Sequence, residues 1–421
     1  MDEDSLANEI LKIYEPYLSI STEYNKAFND LIKNIIFKNS EGSFPLQYKL
    51  FYGFMASSTI GCEILLDDFI RIYSALGGDK SWIEKGLECE NIPEHVRGMA
   101  TINNILAHKP WVMDWRHLAP FKKDLAFFLF QSAMILTTIQ RLASIISILN
   151  ILIDNDEKKE DKKFEPNKKI ETETETEKEK IKDEKKEKDE KDEKIKDIKD
   201  KAKDKKYEVK KKNRKEKHEE QIQKVISSIK KKNTENNENE KEGENTIVMN
   251  KKFQKYISEL IVSYSDFNPH IIKYLSTEDF SWIEETRIYF SNSVGKDMDY
   301  LDKEIKILES LNSDTIKNNI KINIFNLKEA IEKYISLIFG IKDEEYNYHN
   351  NNESLTVELK RIIKKIACYP GQIQEQDLAN CLKIINKEEL IYLILLVTSA
   401  KQKTSLTFFA KVYDDFRDKN L

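Results

Sequence analysis

An all-α fold is predicted, made of two helical halves with a disordered, charged linker between them. Three features of the sequence carry that prediction. Apolar residues recur at the three- and four-residue spacing of amphipathic helices on both sides of the chain. Alternating strand patterns bounded by hairpin dipeptides are missing. Between the two sides, the 67 residues from Asp154 to Glu220 contain 51 Asp, Glu, Lys and Arg, 26 positive and 25 negative. The few apolar residues there, such as Phe164, Ile181 and Val209, are too scattered to offset the ordering entropy of a fold. Gln221–Ile229 allows two amphipathic turns and Asn233–Asn245 is a second polar run, so the linker is taken to span 154–249. Residues 1–153 and 250–421 are each of ordinary domain size.

In chain order, Leu6, Ile10, Leu11, Tyr14 and Leu18 fall at helical spacing around Pro16, and Tyr24–Ile36 continues as a second helix. After the Gly42-Ser43-Phe44-Pro45 turn, one long apolar run from Leu46 to Leu76 stops at Gly77-Gly78-Asp79. Trp82–Leu87 and His95–Leu106 are shorter helices, ended by Pro110. Leu125–Ile153 is the most apolar segment. Gln131, Gln140 and Arg141 interrupt it, and an Arg near a bilayer centre costs at least about 2.5 kcal/mol, so a core helix is expected and not a membrane span. In the second half Lys252–Ser265, Ile322–Phe339, Leu355–Cys368, Glu375–Ile385 and Lys387–Phe409 read as helices, with Gly340 and Tyr369-Pro370-Gly371 as stops.

Composition excludes several classes. The net charge of −5 and the balanced linker give no footprint for nucleic acid. Asp2, Glu3 and Asp4 are unlike the basic start of a secretory signal, so an intracellular protein is expected. Cys62, Cys89, Cys368 and Cys381 lack the paired spacing of a zinc site or a dithiol centre. Reduced thiols, no metal and no cofactor are expected.

Phe54-Met55-Ala56 through Cys62, Gly77-Gly78-Asp79 with Trp82, and Asn104-Ile105-Leu106-Ala107-His108-Lys109-Pro110-Trp111 together resemble the N-terminal half of the sestrins. Phe339-Gly340-Ile341, the acidic and aromatic Glu344-Glu345-Tyr346-Asn347-Tyr348, and Cys368-Tyr369-Pro370 are similar to the sestrin C-terminal half, in the same order. The resemblance implies two related subdomains of the alkylhydroperoxidase (AhpD)-like fold. It also implies a stress- and nutrient-responsive regulator, cytoplasmic and also nuclear, that restrains target-of-rapamycin complex 1 by binding GATOR-type complexes, in some members by sensing leucine.

A thiol peroxidase needs a lowered thiol pKa and a proton shuttle. By the resemblance, Cys62 stands where the sestrin redox cysteine stands. The family's Tyr and His, two and seven residues later, are here Ile64 and Phe69. A buried structural cysteine is therefore expected, and a thiol-dependent alkyl hydroperoxide reductase using Cys62 is the alternative function, with His95 and His108 as shuttles from elsewhere in the chain. At the end of its helix His108 is expected to carry a proton favoured by the helix dipole, with Trp111 covering the contact between the halves.

A free amino acid needs an acid for its ammonium, a base for its carboxylate and an apolar hollow. The resemblance assigns those roles to Glu389 and Lys328, and a polar lid to Asn312, Ser313 and Thr315, with Ile324 where another lid threonine would stand. Lys keeps the charge of the family's Arg but loses its planar fork. Glu344, Glu345, Tyr346 and Tyr348 are expected to form the partner-binding loop.

Overall fold

The structure, a computed structural model, describes residues 10–39, 44–121, 126–163, 275–278, 280–312, 324–342 and 354–419. Helices α1 Thr22–Ile32, α2 Leu46–Ile60, α3 Glu63–Ala75, α4 Lys80–Lys85, α5 Glu94–His108 and α6 Ala126–Lys163 make the first half. Helices α7 Arg287–Val294, α8 Lys296–Ser310, α9 Lys328–Ile338, α10 Val357–Cys368, α11 Glu375–Cys381 and α12 Lys387–Lys419 make the second. The all-α class therefore holds, with one small departure among the described residues. Leu275–Ser276 (β1) pairs in parallel with Ile341–Lys342 (β2), two residues each, too short for any strand pattern to show.

The structure adds detail at two places. The run Leu46–Leu76 is two helices, broken at Gly61, whose φ of +81° is the left-handed conformation that ends α2. And α6 continues ten residues into the expected linker, from Asp154 to Lys163. Glu and Lys are good helix formers, and propagation from an existing helix avoids the cost of a nucleus. The helix expected at 252–265 and the rest of the linker lie outside the described residues.

The core is continuous through both halves. α2 packs against α3, α5 and α6, while α9 and α10 pack against α12. α6 and α12 pack against each other, and α1 packs against α8. α6 is long and apolar enough to cross a membrane by length and composition, yet its apolar window is 83% buried in the fold. Its polar residues are spent on partners: Gln131 Nε2 donates to Asp297 Oδ2 at 2.6 Å, and Gln140 Nε2 to Asn103 Oδ1 at 2.8 Å. Arg141 forks onto Glu304, with Nη1 at 2.6 Å and Nη2 at 2.7 Å from the two carboxylate oxygens.

A turn is repeated 260 residues apart. α5 and α10 each end one residue before an extended-φ residue, Lys109 (φ −142°) and Tyr369 (φ −141°), followed by a 3-10 turn that begins at Pro110 or Pro370. The missing proline N–H stops the helix and the fixed ring angle starts the turn. α12 crosses the Pro110–Val112 turn of the first half, and α6 crosses the Pro370–Gln372 turn of the second. Each half thus completes the other.

Candidate functional site

The first candidate is the loop between α2 and α3. The Gly61 N–H bonds to the Ser57 and Ser58 carbonyls at 3.0 Å, and the Cys62 N–H to Ser57 at 2.9 Å, a glycine-closed helix end. This places Cys62 as the first residue of the turn into α3, with the residue 3% exposed. Burial pushes that thiol up to about 11, and the Asp68 and Glu63 carboxylates push it further. Roughly one thiol in ten thousand is then ionised at pH 7. The environment is the reverse of one that activates a nucleophile.

Ile64 is half-buried on the same helix. Phe69 is fully buried, stacked on Phe37 with ring centroids 6.2 Å apart and so close to Gly53 of α2 that any side chain there would collide with it. It is a packing residue. Neither histidine serves as a visible shuttle. The His95 ring packs edge-on against Phe128 and Tyr48. His108 is buried, with Nε2 3.2 Å from the Thr59 carbonyl. The protonated His108 expected at the helix end is corrected: burial first, then the neighbouring Lys401 and Lys109 charges, hold it near 4, so it is neutral at pH 7 despite the helix dipole. Trp111 does lie against Phe339 of the second half, 6.1 Å between ring centroids.

The second candidate lies where α8, α9 and α12 meet. Glu389 is fully buried in the first turn of α12. Its Oε2 accepts from the Asn386 N–H at 2.8 Å while Asn386 Oδ1 accepts from the Glu389 N–H at 2.8 Å, a reciprocal cap of the helix start. Lys328 opens α9 and is half-buried, and its Nζ donates to the main-chain carbonyl of Glu309 at 2.8 Å, in the last turn of α8. Lys403 of α12 bridges the Glu309 and Glu332 carboxylates at 2.7 and 2.8 Å. The Tyr392 hydroxyl reaches the Leu308 carbonyl at 3.4 Å. Lys328 and Glu389 therefore sit on packed neighbouring helices, each already with a structural bond. Ile324 is buried and Asn312 exposed. Ser313, Thr315, Glu344, Glu345, Tyr346 and Tyr348 lie outside the described residues.

Sequence reasoning missed Asn386, Glu309 and Lys403. The first had a signal, since Asn386-Lys387-Glu388-Glu389 is a capping-box spacing. The other two had none, because their pairing joins residues 94 apart in sequence. A cleft of about 570 Å³ elsewhere, lined by Lys365, Tyr369, Gly371, Gln372, Ile373 and Gln374, includes neither Lys328 nor Glu389. Among the described residues no group of three or more His, Cys, Asp or Glu is placed to hold a metal.

Taken together, these features define an all-α protein of two interlocked halves, with a buried thiol in the first and facing acidic and basic helices in the second. The sequence pattern of the family described as PA26 p53-induced protein (sestrin) matches residues 2–413. The chain belongs to the sestrin family. Among its relatives, Sestrin-3 of Mus musculus is 22% identical over 93% of this chain and 82% of its own length. Sestrin-1 of Mus musculus is 24% identical over 87% of this chain and 76% of its own. The sestrin homolog of Dictyostelium discoideum is 24% identical over 37% of this chain and 26% of its own. It is a divergent sestrin.

Proposed function

We propose that the chain is a stress- and nutrient-responsive regulator that restrains target-of-rapamycin complex 1 by binding a GATOR-type complex, with a free amino acid such as leucine as its ligand. The observation that supports this most is the span of the family match, residues 2–413, which takes in both halves. Lys328 and Glu389, on packed neighbouring helices, are the proposed complements of a ligand carboxylate and ammonium. The repeated Pro110 and Pro370 turns support two related AhpD-like subdomains. Cytoplasm is the proposed location, with the nucleus as a second.

Isothermal titration of the full chain with a panel of free amino acids tests the ligand. Leucine or a close aliphatic relative is expected to bind, and Lys328→Ala to abolish it. Silence across the whole panel overturns the sensing part. Replacement of Glu344, Glu345 and Tyr346 by Ala is expected to leave the melting point unchanged and to abolish co-purification with GATOR-type subunits from the native cell. Undiminished co-purification moves the docking site elsewhere. Consumption of an alkyl hydroperoxide is expected to be indifferent to Cys62→Ser, since burial opposes the thiolate.

A further inference from the structure

Two ammonium groups, those of Lys328 and Lys403, reach Glu309, and they are not paired as proximity alone would pair them. Lys328 Nζ is 2.8 Å from the Glu309 main-chain carbonyl, so the Glu309 side chain starts within a few bonds of it. Yet among the described residues Lys328 meets no carboxylate within salt-bridge distance. The Glu309 carboxylate is held instead by Lys403 at 2.7 Å, and Lys403 also holds Glu332 at 2.8 Å. Lys403 is mostly buried, its side chain 15% exposed, whereas Glu309 is 41% exposed and free to swing if released. Burial works against the Lys403 charge and the two acids more than restore it, so the bridge stays ionised.

We propose that Lys403 is a positioning residue of the amino-acid site, one that keeps the Glu309 carboxylate off Lys328 so that the Lys328 ammonium, tied only to a neutral carbonyl, remains available to a ligand carboxylate. This rests on the reading of Lys328 as a ligand contact given above. A neutral carbonyl fixes the position of an ammonium and leaves its charge in place; a carboxylate at the same distance cancels it. Lys403 also ties α12, which carries Glu389, to the end of α8 and to α9, which carries Lys328, so one side chain sets both the charge and the spacing of the site.

The test uses the full chain with Lys403→Met, Lys403→Arg and the double variant Lys403→Met/Glu309→Gln. Titration with leucine is expected to show affinity at least tenfold weaker in Lys403→Met, near wild type in Lys403→Arg, and restored to within a few-fold in the double variant, where no acid is left to cancel Lys328. A merely structural Lys403 leaves the double variant as weak as the single. A second measurement needs no amino acid: acylation of Lys328 by an N-hydroxysuccinimide ester, quantified by peptide mass spectrometry. It is expected to slow several-fold in Lys403→Met, as Glu309 pairs with Lys328, and to recover in the double variant. Unchanged acylation in Lys403→Met overturns the proposal. If the wild type binds no amino acid while acylation behaves as stated, the ligand reading falls and the charge-setting role of Lys403 stands.

Discussion

Arg141 and Lys401 stand 260 residues apart, as do the two turn prolines, and the contrast between them separates the two halves. Arg141 on α6 is buried with its guanidinium forked onto Glu304, and with Gln402 and Tyr24 at 3.3 and 3.4 Å. Lys401 on α12 is as deeply buried, and its ammonium has no hydrogen bond or carboxylate among the described residues. It has the Phe339 ring at 5.9 Å, with the Cys368 thiol and His108 close by. The same position on α6 and α12 thus holds a charge forked onto a carboxylate in one half and, among the described residues, a charge without one in the other. The turns differ in the same way. Trp111 fills its side of the contact with bulk, whereas Gly371 leaves room for the Ile60 carbonyl, which a Cβ would meet at 2.4 Å. A buried charge stabilises only when its partners match, so neither deletion nor retention has a fixed sign.

The largest expected effect follows from breaking the satisfied member. Arg141→Met leaves Glu304 buried without its fork and is expected to cost about 3–5 kcal/mol, read as a fall in the urea midpoint. Gly371→Ala is expected to cost about 1–3 kcal/mol, because the collision is with backbone and the two halves must separate slightly to admit a methyl group. Lys401→Met is expected to go the other way. It removes an unpaired ammonium while keeping the volume, and a gain of about 1–3 kcal/mol at pH 7 should appear as a higher midpoint. A loss of similar size there would mean that the Phe339 contact outweighs desolvation, and the contrast with Arg141 would collapse.

The pH dependence sharpens the same point. Burial lowers the Lys401 pKa to about 8 from the 10.5 of an exposed lysine, with Cys368 opposing. Below pH 8 both folded and unfolded chains hold that proton and the penalty is constant. Between about 8 and 10.5 only the unfolded chain holds it, so this residue makes stability rise with pH. Buried Tyr and Cys groups act in the opposite direction in that range. The measurable quantity is therefore the difference: the advantage of Lys401→Met over wild type should shrink from pH 7.5 to 9.5. His108 supplies the acid counterpart. Its folded pKa near 4 lies below the unfolded 6.5, so its contribution is complete above 6.5 and is lost as pH falls toward 4. His108→Phe should flatten that part of the acid limb. The smallest effect is expected from cutting the chain between 164 and 274. Contacts such as Ser405 Oγ to the Leu106 carbonyl at 3.0 Å and Gln402 Nε2 to Thr138 Oγ1 at 3.0 Å join the halves directly, and the cleaved protein should elute as one species on a sizing column.

What was legible in the sequence was local. Helix periodicity located α1 through α6 and α9 through α12, and missed α7 and α8, because burial of one face repeats within a few residues. The break at Gly61 was written in the chain but hidden by apolar residues on both sides of it. The extension of α6 to Lys163 was hidden by composition, since charged residues that cannot build a core can still prolong a helix. The site was less legible. The neutrality of His108 depends first on its burial and then on Lys401, almost three hundred residues later, and the bonds of Lys328 and Glu389 run to Glu309 and Asn386. Pairings of that kind have no period for a sequence to display.

The mutual crossing of α6 and α12 over each other's proline turns also fixes an order of events during synthesis. At roughly 5–20 residues per second, α6 leaves the ribosome on the order of ten seconds or more before α12 exists. For that interval the face of α6 that α12 will cover has no α12 to pack against, although Glu304 of α8, the partner of Arg141, is made before α12. A nascent first half therefore carries an apolar helix face that is covered only when the last helix arrives.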